Sequence, residues 1–140
     1  MSEYTAFAEQ TVAASSNVLF TDAPIDNSCS IVHRAGSGII TLRGITRQCR
    51  ARFRISFGAN IAIPTGGTVE AISAAISVDG EALATSTMIV TPAAVENYFN
   101  ISSEALVDVP NGCCLTISVK NVSDQPINFA NSNLIVERVA

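Results

Sequence analysis

Fifteen consecutive residues, Cys49 to Ile63 (CRARFRISFGANIAI), alternate between two kinds of side chain. One set, Cys49, Ala51, Phe53, Ile55, Phe57, Ala59, Ile61 and Ile63, is small or apolar. The other, Arg50, Arg52, Arg54, Ser56, Gly58, Asn60 and Ala62, begins as a row of guanidinium groups and ends in small residues. Successive side chains of a strand point to opposite faces, so a period of two over this length puts the two sets on opposite sides of a sheet. One side packs a core and the other meets something polar. The run is longer than most strands, which predicts a bulge or bend near Gly58.

The remaining punctuation is that of short strands. Val18-Leu19-Phe20 reads as a first strand after an N-terminal segment, 1–17, that is either an arm or a strand of its own, leaving 18–140 as the principal domain. Asp22-Ala-Pro-Ile-Asp26-Asn reads as a turn. Ser30 to Arg34, Gly38 to Arg43, the nearly all-apolar Thr68 to Val78, and Glu81 to Val90 read as further strands. Asp79-Gly80 between the last two is a hairpin signal, because a type I′ turn needs positive φ at both central residues. Thr91 to Glu96 offers one helical turn, with Thr91 as N-cap and Pro92 at the first helical position. Tyr98 to Ile101, Ala105 to Val109, Cys113 to Asn121, Ile127 to Phe129 and Leu134 to Val139 complete an all-β chain of about nine or ten strands, a sandwich or barrel in a single domain.

Composition adds an assembly expectation. Charged residues make up 14% of the 140, with a net charge of −4, against roughly 25% in ordinary soluble domains, and mean hydropathy is +0.36. A surface this poor in charge is expected to be covered in part by copies of itself. MSEYTAFAEQ shows no secretory signal pattern, and no run approaches the roughly 18 apolar residues that span a bilayer. The chain is therefore expected to be made in the cytoplasm, without a membrane partner. Cys29, Cys49, Cys113 and Cys114 lack the paired spacing of a zinc site and are expected to be buried free thiols.

Reactive constellations are sparse. His33 is the only histidine and has no nucleophile elbow beside it, so no catalytic residue and no cofactor is assigned. It is expected to be structural, near a subunit interface beside Arg34. Asp22 and Asp26, and Asp79 and Glu81, flank turns where calcium could sit, yet neither pair has the D-x-D-x-D-G spacing, and no metal is assigned. Arg43, Arg47, Arg50, Arg52 and Arg54 concentrate positive charge. With no aromatic interleaved on their face, they are expected to pair with carboxylates such as Glu70, Glu104 or Asp108 across strands or subunits, not to hold nucleic acid. Arg50, Arg52 and Arg54 are thereby placed at a subunit interface.

The strings VLF at 18–20, RFRISFGANIAI at 52–63, ISVDGE at 76–81, VPNGCCLTISVKN at 109–121 and INFANSNLIVERV at 127–139 together resemble the C1q/TNF-like jelly roll. The resemblance implies two sheets packed face to face and three subunits around a three-fold axis. The same strings are similar to small structural proteins encoded by phages and prophages of gut Firmicutes. That implies a non-enzymatic, trimeric virion protein, assembled in the bacterial cytoplasm, that decorates heads or tips fibres beside other virion proteins. The competing expectation is a carbohydrate or cell-surface ligand-binding module on the same scaffold, since fold alone does not choose between them.

Overall fold

The alternating run forms a 13-residue strand, Arg50–Ala62, with Ala51, Phe53, Ile55, Phe57, Ala59 and Ile61 buried and the arginines turned outward. A computed structural model describes residues 2–26, 29–34, 36–112 and 114–140, the side chain of Asp26 excepted. Its strands are β1 Ser2–Ala6, β2 Gln10–Val12, β3 Asp22–Asp26, β4 Ile31–His33, β5 Ile40–Arg43, β6 Arg50–Ala62, β7 Ile72–Val78, β8 Glu81–Ala82, β9 Met88–Val90, β10 Phe99–Pro110, β11 Cys114–Asn121 and β12 Ile127–Arg138. The first sheet runs β10-β6-β12-β1-β3, with β2 also on β12. The second runs β4-β5-β11-β7-β8, with β9 also on β7. Every pairing is antiparallel. This is an all-β jelly-roll sandwich of one domain.

The two inner faces supply the core. Phe53, Ile55 and Phe57 of β6, Phe129, Leu134 and Val136 of β12, and Tyr4 of β1 face Ile40 and Leu42 of β5, Ile117 and Val119 of β11, and Ile72, Ala74 and Ile76 of β7. Most polar groups buried at its margin are bonded, the Ser2 and Ser132 hydroxyls excepted. Asn121, wholly buried, donates to the carbonyls of Val12 (3.0 Å) and Gln125 (2.9 Å) and accepts from the Ser123 amide (2.9 Å). Ser77 and Ser118 share a 2.8 Å bond across β7 and β11. Such pairing offsets most of the desolvation cost of a buried polar group.

Several elements depart from the sequence expectation, each for a physical reason. Val18 to Phe20 does alternate, with Val18 and Phe20 buried and Leu19 half exposed, but it belongs to neither sheet. Its backbone is held by single bonds, Val18 N–H to the Val119 carbonyl (2.8 Å) and Phe20 N–H to the Ser37 carbonyl (3.2 Å). The Gln10 amide stands in for a neighbouring strand by bonding both the carbonyl (2.9 Å) and the amide (3.0 Å) of Leu19. Asp22 to Asp26 is strand β3 where a turn was expected. It is an end strand of its sheet, and there Pro24 removes no ladder bond that the sheet needs. Thr91 to Glu96 forms no helix; Glu96 closes a turn at φ 61° with its amide on the Ile63 carbonyl (2.8 Å). The helical segment found among the described residues is a single 3-10 turn, Ala84–Ser86.

Two pairs of expected strands prove continuous. β10 runs unbroken through Ser102, Ser103 and Glu104, since the polar members of that stretch either face solvent or sit at the sheet edge. β12 is continuous through Asn131, where its pairing with β6 skips a residue: Ala130 lies opposite Asn60 and Asn133 opposite Gly58. The expected irregularity near Gly58 is therefore carried by the partner strand, with Asn131 at φ 55°, a left-handed conformation that asparagine tolerates better than most residues. The inward set of β12 changes there from Ile127 and Phe129 to Ser132, Leu134 and Val136. The Asp79-Gly80 hairpin forms as expected, at φ 52° and 84°.

The thiols differ from expectation: Cys29, Cys49 and Cys114 are free but exposed, and Cys113 lies outside the described residues. Cys49 falls one residue before β6 begins, and Cys114 is on the outward side of β11.

Gly38 fixes how closely the Val18 segment lies on the second sheet, because a Cβ there would stand 2.5 Å from the Val18 carbonyl oxygen. Gly38→Ala is expected to destabilise the fold by about 1–3 kcal/mol, the usual cost of overpacking against a fixed neighbour. Urea unfolding would read it, and an unchanged midpoint would show that the segment can shift.

Candidate interaction surface

The outer face of the first sheet follows from register. β6 is paired on both edges, so its outward residues Arg54, Ser56, Gly58 and Asn60 each have one neighbour on β10 and one on β12. Arg52 faces Asp108, Arg54 lies between Leu106 and Glu137, Ser56 between Glu104 and Ile135, Gly58 between Ser102 and Asn133, and Asn60 between Asn100 and Ala130. The face thus divides into a charged half and an uncharged half.

In the charged half the arginine row meets a carboxylate row within the same chain. Arg52 grips Asp108 with two bonds, Nε to Oδ1 at 2.7 Å and an Nη to Oδ2 at 3.1 Å, and Arg50 approaches the same carboxylate at 3.4 Å. Arg54 pairs with Glu137 at 2.6 Å and Glu104 at 3.4 Å. The hydrogen bond from Arg52, then its charge and that of Arg50, hold the Asp108 carboxyl below its ordinary value; the hydrogen bond and charge of Asp108 in turn raise Arg52. Glu104 and Asp108 were legible as partners. Glu137 was not, because only the β6–β12 register brings it beside Arg54, and Glu70 instead accepts a bond from Gln125 (3.1 Å).

The uncharged half is small and amide-rich. Asn60 donates to Asn131 (3.1 Å) and accepts from Asn100 (3.2 Å), while Asn133 of β12 donates to Glu3 of β1 (2.6 Å). Two large apolar groups stand out from this face, Phe7 at 78% exposure and Leu106 at 62%. Phe7 follows β1 where the β12 bulge turns its Asn131 amide onto the Phe7 carbonyl (3.2 Å). It helps line a shallow cavity of about 300 Å³ with Thr5, Asn131, Ser132 and Asn133.

The other residues singled out in the sequence do not join this surface. His33 is half buried, its Nε2–H donating to the Ser37 carbonyl (2.8 Å) and its ring 4.5 Å from the Tyr4 ring and 6.4 Å from the Phe20 ring. A carbonyl only accepts, so this nitrogen carries the proton. Arg34 beside it is exposed. Asp22 lies at the start of β3, not in a turn, and takes a 3.4 Å bond from Thr21; the Asp26 side chain is outside the described residues. Asp79 accepts from both the amide (2.9 Å) and the hydroxyl (3.1 Å) of Thr116, which explains its carboxylate without a cation, and Glu81 is exposed on β8. Among the described residues no three metal-ligating side chains cluster. At the end where β6 stops, Tyr98 donates to Glu9. Partial burial, that bond and the charges of Glu9 and Glu96 push its phenol up to about 12.

Comparison with solved structures places the architecture. The globular domain of zebrafish complement 1qA superposes with a TM-score of 0.62 at 10% identity, over 96% of this chain and 94% of that one. Eiger TNF from S. frugiperda gives 0.72 at 9% identity over 99% and 91%, and murine APRIL 0.56 at 10% over 95% and 97%. The fold is therefore a C1q/TNF-like jelly roll. The chain matches no protein-family model and no curated protein.

Asp108 offers a pH test. Its folded value is depressed, so its contribution to stability is complete above the unfolded value near 3.8 and is lost as pH falls through the folded value. Asp108→Asn is expected to lower the urea midpoint slightly at neutral pH, with the difference from wild type closing in acid. A difference independent of pH would leave the ion pair no electrostatic role.

Proposed function

We propose that this chain is a non-enzymatic structural protein, a homotrimer that decorates a phage or prophage particle or forms the tip of a fibre, acting by self-assembly and docking. The observation that carries the assembly reading is the outer face of the first sheet. It is broad, its arginines are already paired within the chain, and an exposed apolar group stands in each half, Phe7 beside the amides and Leu106 beside Arg54. A sheet face of this kind fits another protein surface, since association there desolvates arginines that are already paired and removes apolar area from water. The C1q/TNF-like fold supports a three-fold arrangement through its resemblance to trimeric domains, and the virion placement rests on the sequence's similarity to phage and prophage structural proteins. His33 is committed to packing and to one carbonyl, which favours a structural role over an acid–base one.

Light scattering coupled to size exclusion tests the assembly. A particle near three times 14.6 kDa is expected, and a clean monomer would overturn the trimer. Phe7→Ser with Leu106→Ser removes only exposed side chains, so thermal unfolding of the dissociated chain should change little while the trimer loosens. Retention of the trimer by the double variant would move the interface to another face. Copurification with particles from an induced lysogen tests the virion role.

A further inference from the structure

The connections at the two ends of the sandwich differ in charge, although the Asp79-Gly80 hairpin with Glu81, and Asp26 at the close of β3, bring acidic residues to the margin of the end where β6 begins. Where β6 begins, Arg43 closes β5, Arg47 sits in the 44–49 connection, Arg50 opens β6 and Arg138 closes β12. The Arg138 guanidinium bonds the Ile45 carbonyl (2.6 Å), and the Asn111 and Gly112 amides bond the carbonyls of Cys49 (3.0 Å) and Gly44 (3.1 Å), so these segments form one surface. No Asp or Glu occurs within 43–50 or 109–114. Arg43 and Arg47 are exposed and make no side-chain bond among the described residues.

Where β6 stops, the connections 7–9, 63–71, 91–98 and 122–126 carry Glu9, Glu70, Glu96 and Asp124 and not one Lys or Arg. All four carboxylates are exposed. Three have neutral donors as partners: Tyr98 for Glu9, Gln125 for Glu70, and the Thr65 amide and hydroxyl for Glu96. Their charge is uncompensated. Each end also shows apolar side chains among its charges, Val69 and Val122 at the acidic end and Ile45 and Val139 at the basic end.

We infer that the acidic end of one copy docks on the basic end of the next, so that copies stack head to tail along the strand direction. The occupant is a second copy because the unpaired Arg43 and Arg47 of one end suit the uncompensated carboxylates of the other, with exposed apolar side chains among the charges on both. Such a contact is heterologous: each copy leaves one unused end of each sign, so growth continues as a filament unless a partner caps it. It uses the ends of the sandwich and leaves the outer sheet face free, so it extends the proposed assembly without depending on the trimer.

Sedimentation velocity of the wild-type chain tests this at two ionic strengths, one with a Debye length of about 30 Å and one of about 3 Å. Larger species are expected at low ionic strength, reverting at high ionic strength to the basal particle, whose mass independently reports whether the trimer exists. Arg43→Glu with Arg47→Glu, and separately Glu70→Lys with Asp124→Lys, should each abolish the low-salt species. Mixing the two reversed variants should restore association, because one then presents two acidic ends and the other two basic ends. Circular dichroism confirms that the variants are folded. The inference falls if wild type sediments alike at both ionic strengths, if either folded variant associates as wild type does, or if the mixture stays at its basal mass.

Discussion

β6 is hydrogen-bonded along both edges, to β10 from Arg50 to Ile61 and to β12 from Phe53 to Ala62, and the first sheet is organised by that double pairing. Once its apolar face enters the core, the alternation of its neighbours is dictated in phase, because the side-chain period of a strand is two and a slip of one residue would exchange core for solvent. The same constraint composes the outer face. Asp108, Glu104 and Glu137 meet the arginines because register leaves them no other position. The amides of Asn60, Asn100 and Asn131 are brought into line by the same ladders, so charge and neutrality separate along a single strand.

The second structural principle is that parts of the chain pack without belonging to a sheet. Val18 and Phe20 are as fully buried as any strand residue, and Phe20 lies edge-on to Phe57 at 6.3 Å, yet the segment relies on the Gln10 side chain and isolated backbone bonds. Tyr4, Phe20 and His33 form a tilted aromatic cluster there, which is how the lone histidine is absorbed into the structure. Burial and hydrogen bonding have been satisfied by different means: apolar contacts by the side chains, backbone polarity by one amide and a few carbonyls.

These two modes explain what could be read from the sequence. Strands whose residues alternate between core and solvent, β6 and β11 above all, were legible, as was the Asp79-Gly80 turn, because their signals are local. Val18 to Phe20 gave the same local signal without a ladder, since alternation reports burial and not pairing. β3 was hidden by Pro24, whose cost vanishes at a sheet edge, and the continuity of β10 by a polar middle that faces solvent. Of the interaction surface, the arginine row and two of its carboxylates were visible. Glu137, the asparagine cluster and the prominence of Phe7 depend on which strands become neighbours, which no single segment encodes. The thiols were misjudged because Cys49 and Cys114 stand at strand ends, where the inward–outward assignment is set by where pairing starts.

The bulge in β12 behaves like a shift in reading frame. Upstream of Asn131 the odd-numbered residues point inward, and downstream the even-numbered ones do. Pairing every residue of β12 in a regular ladder, with no bulge, would turn Asn133 and Ile135 toward the core and Leu134 and Val136 toward water. The bulge absorbs the extra residue and so reconciles two separately phased halves of one strand, the half beside β2 and the half beside β1. Loss of Asn131 alone would set Ser132 opposite Ala59 and keep both halves in phase, whereas loss of a residue elsewhere in β12 would exchange core for solvent over the rest of the strand.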